Sequence, residues 1–255
     1  MAQPNYTLGR GKLYLKPDGA SAFRYLGNSP AFNITFETET LEHYNSDEGI
    51  RVEDDSVLLQ ITRTASIELD DIQMENLAMA FLGTAQTVTQ TAATGLTETI
   101  ASAKPGDTYA IGVTSSNPAG VRDIDPATFA ATINSGATTL QEGVDYNLDA
   151  RSGLIHFLES TNITSAGVQV DITYDLLGVS RPQTISGSQA VEGELRYVAH
   201  NPKGKQIDYL MPKVQFQPDG DIELKGEEWM KLPFTVKIIK LPNRAAIYAD
   251  GEPLP

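Results

Sequence analysis

Two strand-like segments joined by a long acidic connector constrain this chain more than any other stretch. In residues 56–69, SVLLQITRTASIEL, apolar and polar side chains alternate. Val57, Leu59, Ile61, Ala65, Ile67 and Leu69 fall on one face and Ser56, Gln60, Thr62, Thr64, Ser66 and Glu68 on the other, with Leu58 and Arg63 as exceptions. Upstream, Phe32, Ile34 and Phe36 alternate with Asn33, Thr35 and Glu37. Between them runs ETETLEHYNSDEGIRVEDD, residues 37–55. Hairpin loops are usually about 2–5 residues, and a structureless loop beyond roughly 12–15 is usually functional or disordered. Leu41, His43, Tyr44, Ile50 and Val52 give this connector anchors, which predicts that it docks on something.

Charge narrows the partners. The chain of 255 residues carries a net −14, which argues against gripping nucleic acid through its phosphates. Segment 37–55 holds eight carboxylates (Glu37, Glu39, Glu42, Asp47, Glu48, Glu53, Asp54 and Asp55) against Arg51 alone, a net −7 and half the total. Such a run is often a solvated loop; the anchors within it favour a surface that contacts a partner. Cysteine is absent, which excludes a disulfide framework, a thiolate nucleophile and a Cys-ligated metal. No apolar run approaches the roughly 18 residues of a membrane-spanning helix, and the start lacks the pattern of a signal peptide. These features predict a protein made in a reducing cytoplasm, with no membrane partner.

Strand signals dominate the remainder. Short strands are expected near Lys12–Leu15 and Phe23–Leu26, turned by Pro17-Asp18-Gly19. Asp70-Asp71 followed by IQMENLAMAFLG predicts one helix at about 71–82, capped by Asp and packed through Met74, Leu77, Ala78, Phe81 and Leu82. Residues 84–104 are weakly patterned, an exposed strand or a loop. VDYNLDARSGLIHFL predicts a hairpin about Asp149–Gly153, and GVQVDITYDL a strand with Val168, Val170, Ile172, Tyr174 and Leu176 on one face. Later hairpins are expected about Asn201–Gly204 and Pro218-Asp219-Gly220. Phe234, Val236 and Ile238 then share a strand face, and Trp229 leads into that strand as a core anchor. The fold class is mainly β, an antiparallel sandwich or barrel with one flanking helix and a β-rich middle elaboration. Segments 1–96 and 181–255 form one domain, with 97–180 inserted in it or integral to it.

Catalytic patterns are missing. His43, His156 and His200 occupy unrelated contexts without partners at metal-ligand spacing. Gly9-Arg10-Gly11 lacks the third glycine and the helix of a dinucleotide site, and neither a G-x-S-x-G elbow nor a P-loop occurs. With 33 acidic residues, some carboxylate pair is expected by chance, so a hydrolase has little support. No catalytic residue, cofactor or metal is predicted.

LGRGKLYL, the run FRYLGNSPAFNITFETETLEHYNSDEGIRVEDDSVLLQITRTASIELDDIQMENLAMAFLG, and GELRYVAHNPKGKQIDYLMPKVQFQPDGDIELKGEEWMKLPFTVKII together resemble the major tail tube protein of long, non-contractile (siphovirus-type) phage tails. The resemblance covers about half of the chain, its two outer portions; in the middle, only DYNLDARSGLIHF and VDITYD are loosely similar. It implies a β-sandwich or barrel whose copies form hexameric rings stacked into a hollow tube in the virion, assembled in the bacterial host cytoplasm. The implied partners are further copies, the tape measure protein, and tail terminator and tip proteins, with DNA passing through without specific binding. Glu39, Leu41, Glu42, His43, Tyr44, Asp47, Glu48, Ile50, Arg51, Val52, Glu53, Asp54 and Asp55 would then contact a neighbouring subunit or ring. Residues 1–8 and 242–255, both irregular, would mediate stacking. Gln60, Thr62 and Thr64 would be neutral lumen liners on a face where acids are sparse. Acidic residues would repel phosphates along the DNA path, or else lie between rings facing Lys and Arg of the next subunit. The alternative is a β-sandwich binding module, an adhesin or carbohydrate binder.

Overall fold

The alternating segments are realised as antiparallel β structure. The structure, a computed structural model, describes residues 6–47 and 49–253. Along the chain come β1 (Gly11–Pro17), β2 (Arg24–Tyr25), β3 (Ala31–Asn45), β4 (Val52–Leu69), α1 (Met74–Ala80) and β5 (Thr84–Gln90). A middle run holds β6 (Ala93–Ala103), β7 (Thr108–Ala110), β8 (Ala130–Ile133), β9 (Thr138–Thr139), β10 (Tyr146–Asp149), β11 (Leu154–Phe157) and β12 (Val168–Leu176). The chain ends with β13 (Val179–Ile185), β14 (Glu192–Ala199), β15 (Ile207–Pro218), β16 (Leu232–Ile238) and β17 (Tyr248–Gly251). The weakly patterned residues 84–104 thus form strands, and part of the irregular C-terminal stretch adds β17. Two compact units result, one from the residues up to Gln86 with those from Gln183 onward, the other from Thr87–Pro182. The chain passes between them along β5 and β13, which pair with each other.

The first unit is an eight-stranded sheet in the order β2-β1-β14-β15-β16-β4-β3, with β17 also on β15. β15 serves two neighbours along one edge: Ile207–Leu210 pair with β17 and Val214–Pro218 with β16. Period-two burial follows the sequence. Leu13 and Leu15, Ala65, Ile67 and Leu69, Val214 and Phe216, and Phe234, Val236 and Ile238 all enter one core. Phe216 and Phe234 meet edge to face at 5.7 Å between ring centroids, a favoured aromatic geometry.

Two expectations fail here. The helix spans Met74–Ala80 and starts at Gln73 without a side-chain cap. Asp70 is occupied by the Asn28 amide and Asp71 by that of Gln73, so neither caps the helix. Its buried face carries Asn76, Ala78, Met79 and Ala80, while Met74 is exposed. Nor does Asp221–Lys225 return as a strand after Pro218-Asp219-Gly220. The edge of β15 is taken by β16, pairing Pro218 with Phe234. Phe234, Val236 and Ile238 bury a continuous apolar row there, which DIELK cannot supply.

The middle unit contains the sheets β10-β11-β7 and β6-β12-β8-β9. Ile155 and Phe157 from one and Val170, Ile172 and Tyr174 from the other belong to one core. The expected turn between β10 and β11 forms: the Ser152 N–H donates to Asp149 Oδ1 at 3.1 Å, and Gly153 takes φ +67°. A Cβ on Gly153 would lie 1.9 Å from the Val121 carbonyl oxygen, so the position requires glycine.

Candidate assembly interface

The connector between the two patterned segments is not a loop. β3 and β4 pair antiparallel from Ala31↔Glu68 to Asn45↔Val52, leaving only residues 46–51 as the tip. Thr, Val, Ile and Tyr recur through both sides, and the ladder satisfies backbone groups that a loop would leave to water. β16 accompanies β4 only as far as Lys237↔Thr64, and β3 ends the sheet order. Beyond Arg63 the ribbon therefore continues as an arm with both edges unpaired among the described residues. At about 3.4 Å per residue, Glu37–Asn45 extends roughly 30 Å.

Two register shifts decide which side chains share a face. Glu39 pairs with Gln60 but Thr40 with Leu58, so Leu59 is an extra residue on β4; Asp54 is the second, between His43↔Asp55 and Tyr44↔Glu53. From Leu59 outward the parity of β4 is reversed. That accounts for Leu58, one of the two exceptions to the alternation: it joins Ile61 and Phe36 on the core-side face, whereas Val57 moves to the opposite face beside Leu41. The arm exposes apolar groups on both faces: Phe36, Leu58 and Ile61 on one, Leu41 (62 % exposed), Val57 (54 %) and Val52 on the other. A two-stranded hairpin without further packing is marginal in water, and an exposed apolar edge is a template for pairing with another chain.

The polar residues sort differently. Gln60, Thr62 and Thr64 do share the face away from the core, and the Gln60 amide donates to Thr62 Oγ1 at 3.0 Å. Acids are not sparse there, because Glu39 pairs with Gln60 and Glu37 with Thr62. At the outer end, His43 Nδ1 lies 2.5 Å from Asp54 Oδ1, and the Tyr44 hydroxyl donates to Glu42. That contact with Glu42 holds the Tyr44 hydroxyl above its ordinary pKa. The Arg51 guanidinium sits 5.1 Å from the Tyr44 ring. Leu41, Ile50 and Val52 are exposed, Asp47 and Glu53 are also exposed, and Asp55 stands opposite His43. Glu48 lies outside the described residues.

Beside the root of the arm is a groove of about 1280 Å³, lined by Phe32, Ile34, Tyr197, Tyr209 and Ile247 together with Arg10, Lys12 and His200. Phe32 and Tyr197 approach to 5.6 Å between centroids, and Tyr197 and Tyr209 to 6.1 Å. Burial pushes the Tyr197 hydroxyl up in pKa, with Tyr209 adding to it and Arg10 opposing. Gly11 is required beneath this cluster, since a Cβ there would stand 2.5 Å from the Tyr197 ring. Sequence reasoning missed the groove because its residues come from β1, β2, β3, β14, β15 and the β16–β17 connection. It also misplaced Trp229. Rather than anchoring the core, Trp229 is 90 % exposed on the β15–β16 connection, which also carries the exposed Leu224.

The family described as Protein of unknown function UCP028589 matches residues 6–248. The chain belongs to that family. The span matched by the family runs through both units and the whole arm. No curated protein matches the chain.

Other candidate chemistry stays dispersed within the matched span. His43 is on the arm, His156 on β11 beside Thr108, and His200 at the groove. Among the described residues, no group of three or more His, Asp or Glu is placed to hold a metal ion. None of the described helices is long and apolar enough to cross a membrane. Asp145, the one buried carboxylate among the described residues, is fully engaged: it accepts from Ser160 Oγ at 2.6 Å, Gln141 N at 2.8 Å and Asn162 Nδ2 at 3.1 Å. It fastens two loops together and has no free acceptor aimed at a cavity.

Proposed function

We propose that this chain is a structural subunit of a siphovirus-type phage tail tube, polymerising as stacked hexameric rings around a lumen. One observation carries the reading: the β3–β4 arm has apolar residues on both faces and, among the described residues, both edges unpaired. Further copies cover the arm in the assembly. The resemblance of the two outer portions to tail tube proteins supplies the kind of assembly. The finer fold is a curled sandwich or barrel, supported by Phe32 of the edge strand β3 meeting Tyr197 of β14. Gln60, Thr62 and Thr64, with Glu37 among them, form a lumen-facing wall that is hydrophilic and negative. Such a wall lets DNA slide without adhering, since salt screens charge only beyond about 8 Å. The tape measure protein occupies the same lumen before ejection, terminator and tip proteins close the ends, and the subunit performs no catalysis.

Negative-stain electron microscopy across a concentration series tests this directly. Rings or hollow tubes of uniform width are expected. Uniform small particles at every concentration, including after addition of preformed tail tips, would sink the reading. The exposed Trp229 and Leu224 favour a second reading, a binding module. A glycan array separates the two: saturable binding by a persistent monomer, lost in Trp229→Ala, supports the binding module.

A further inference from the structure

The groove beside β1 and β14 encloses about 1280 Å³, and nothing in the described chain fills it. We propose that it is the receptor for the arm of a neighbouring copy, entered by the face that carries Leu41 and Val57. This deepens the tail tube reading and rests on it.

Three observations select that occupant. The first is charge. On the Leu41/Val57 face, the apolar pair is flanked by Glu39 on one side and Asp55 on the other. The groove lining joins the half-buried Phe32, Tyr197 and Tyr209 to the exposed cations Arg10 and Lys12. Among the described residues, neither cation makes an ion pair within the chain, and neither do Glu39 and Asp55.

The second is reach. Phe36 lines the groove and the arm departs from there for roughly 30 Å. A straight ribbon leaving a groove cannot return to it, so the donor is another copy. A contact between two different patches of one chain is head-to-tail, the kind that closes rings or extends filaments.

The third is size. One face of a ribbon roughly 30 Å long and about 10 Å wide offers about 300 Å², against about 800 Å² per partner in a standard interface. A single arm–groove contact therefore makes a weak pair, and stability comes from ring closure, in which each copy donates one arm and receives another.

The natural chain has no cysteine, so engineered ones report cleanly. Copies carrying only Val57→Cys are mixed with copies carrying only Tyr25→Cys, at the groove, and oxidised in the assembled state. Gln217→Cys, on β15 away from the groove, serves as the control. The 57–25 cross-linked pair is expected at least tenfold above the 57–217 pair. Arg10→Glu with Lys12→Glu should abolish it, and Glu39→Lys with Asp55→Lys on the donor should restore it. Rings or tubes without that cross-link would overturn the groove assignment and leave the subunit reading intact. Neither assembly nor cross-link would overturn both. A cross-link from Tyr25→Cys to Ala2→Cys within one chain would assign the groove to the chain's own N-terminal segment, and the proposal would fall.

Discussion

Asn76 and Asp145 are fully buried polar side chains, and each joins segments that apolar burial alone would leave loose. Asn76 accepts from Arg24 Nη1 at 2.7 Å and donates to the Leu26 and Asp71 carbonyls, tying α1 to the β2 edge. Burial lowers the pKa of Arg24, a sign that its charge is poorly solvated there. Asn76→Leu therefore leaves the guanidinium only the longer contacts to Gln73 Oε1 and Met79 Sδ and strands the Leu26 carbonyl. The expected cost is about 2–3 kcal/mol, a drop of roughly 5–10 °C in the first unit's melting temperature, read by calorimetry. Asp145 shows opposed forces: burial pushes its carboxyl up, and the hydrogen bonds from Ser160, Gln141 and Asn162 outweigh this and hold it below the ordinary range. With the folded pKa below the unfolded one, its contribution is complete above about pH 4 and is lost as pH falls through the folded value. Asp145→Asn should destabilise the middle unit by about 1–3 kcal/mol at neutral pH and by much less in acid. Urea unfolding at both pH values checks this, and an equal loss at both would contradict the account. Neither role was legible beforehand, because a single buried Asn or Asp looks like any surface residue until its distant partners are known.

Among the elements, the arm shows what periodicity reveals and where it stops. Alternation located β4, β12 and β16 and most of their buried faces, because each packs one face on a core of its own chain. It failed beyond Leu59, where a bulge reverses parity and no core within the chain selects a face. Acidity and length made residues 37–55 read as a connector, although the same residues zip into a ladder. Trp229 was misread for a related reason: a large aromatic beside a strand is usually core, and only the three-dimensional path of residues 219–231 shows it in water. If the arm serves assembly and not monomer folding, removing it must separate the two. Excising residues 40–59 and joining Glu39 to Gln60, which already pair, through Asn-Gly leaves a two-residue hairpin. Every buried core residue of the first unit lies outside that excision. The variant should melt within a few degrees of the parent and remain monomeric by light scattering where the parent polymerises. Normal polymerisation would refute the role given to the arm.

At the level of the whole molecule, two cores divide the work between the units. The buried clusters share no residue, and the first unit's core is supplied by β1, β4, α1, β14, β15 and β16, with their flanking residues, without any middle strand. The sequence had placed the division near residues 97 and 180. The units divide at 86/87 and 182/183, and residues 84–104 carry too little alternation to show that β5 ends and β6 begins within them. The arm, the groove and the opposite charges they carry all belong to the first unit. β5 and β13 pair where the chain crosses, and the Gln86 amide donates to Gln183 Oε1 at 3.0 Å. Replacing residues 88–181 by a short Gly-Asn turn should therefore leave an independently folded first unit with its melting transition preserved. The parent should show a second transition that the variant lacks, because separate cores unfold as separate cooperative units. The shortened protein should still form rings or tubes under the electron microscope. A folded variant that stays monomeric would move part of the assembly surface into the middle unit, and the arm and groove would then be insufficient on their own.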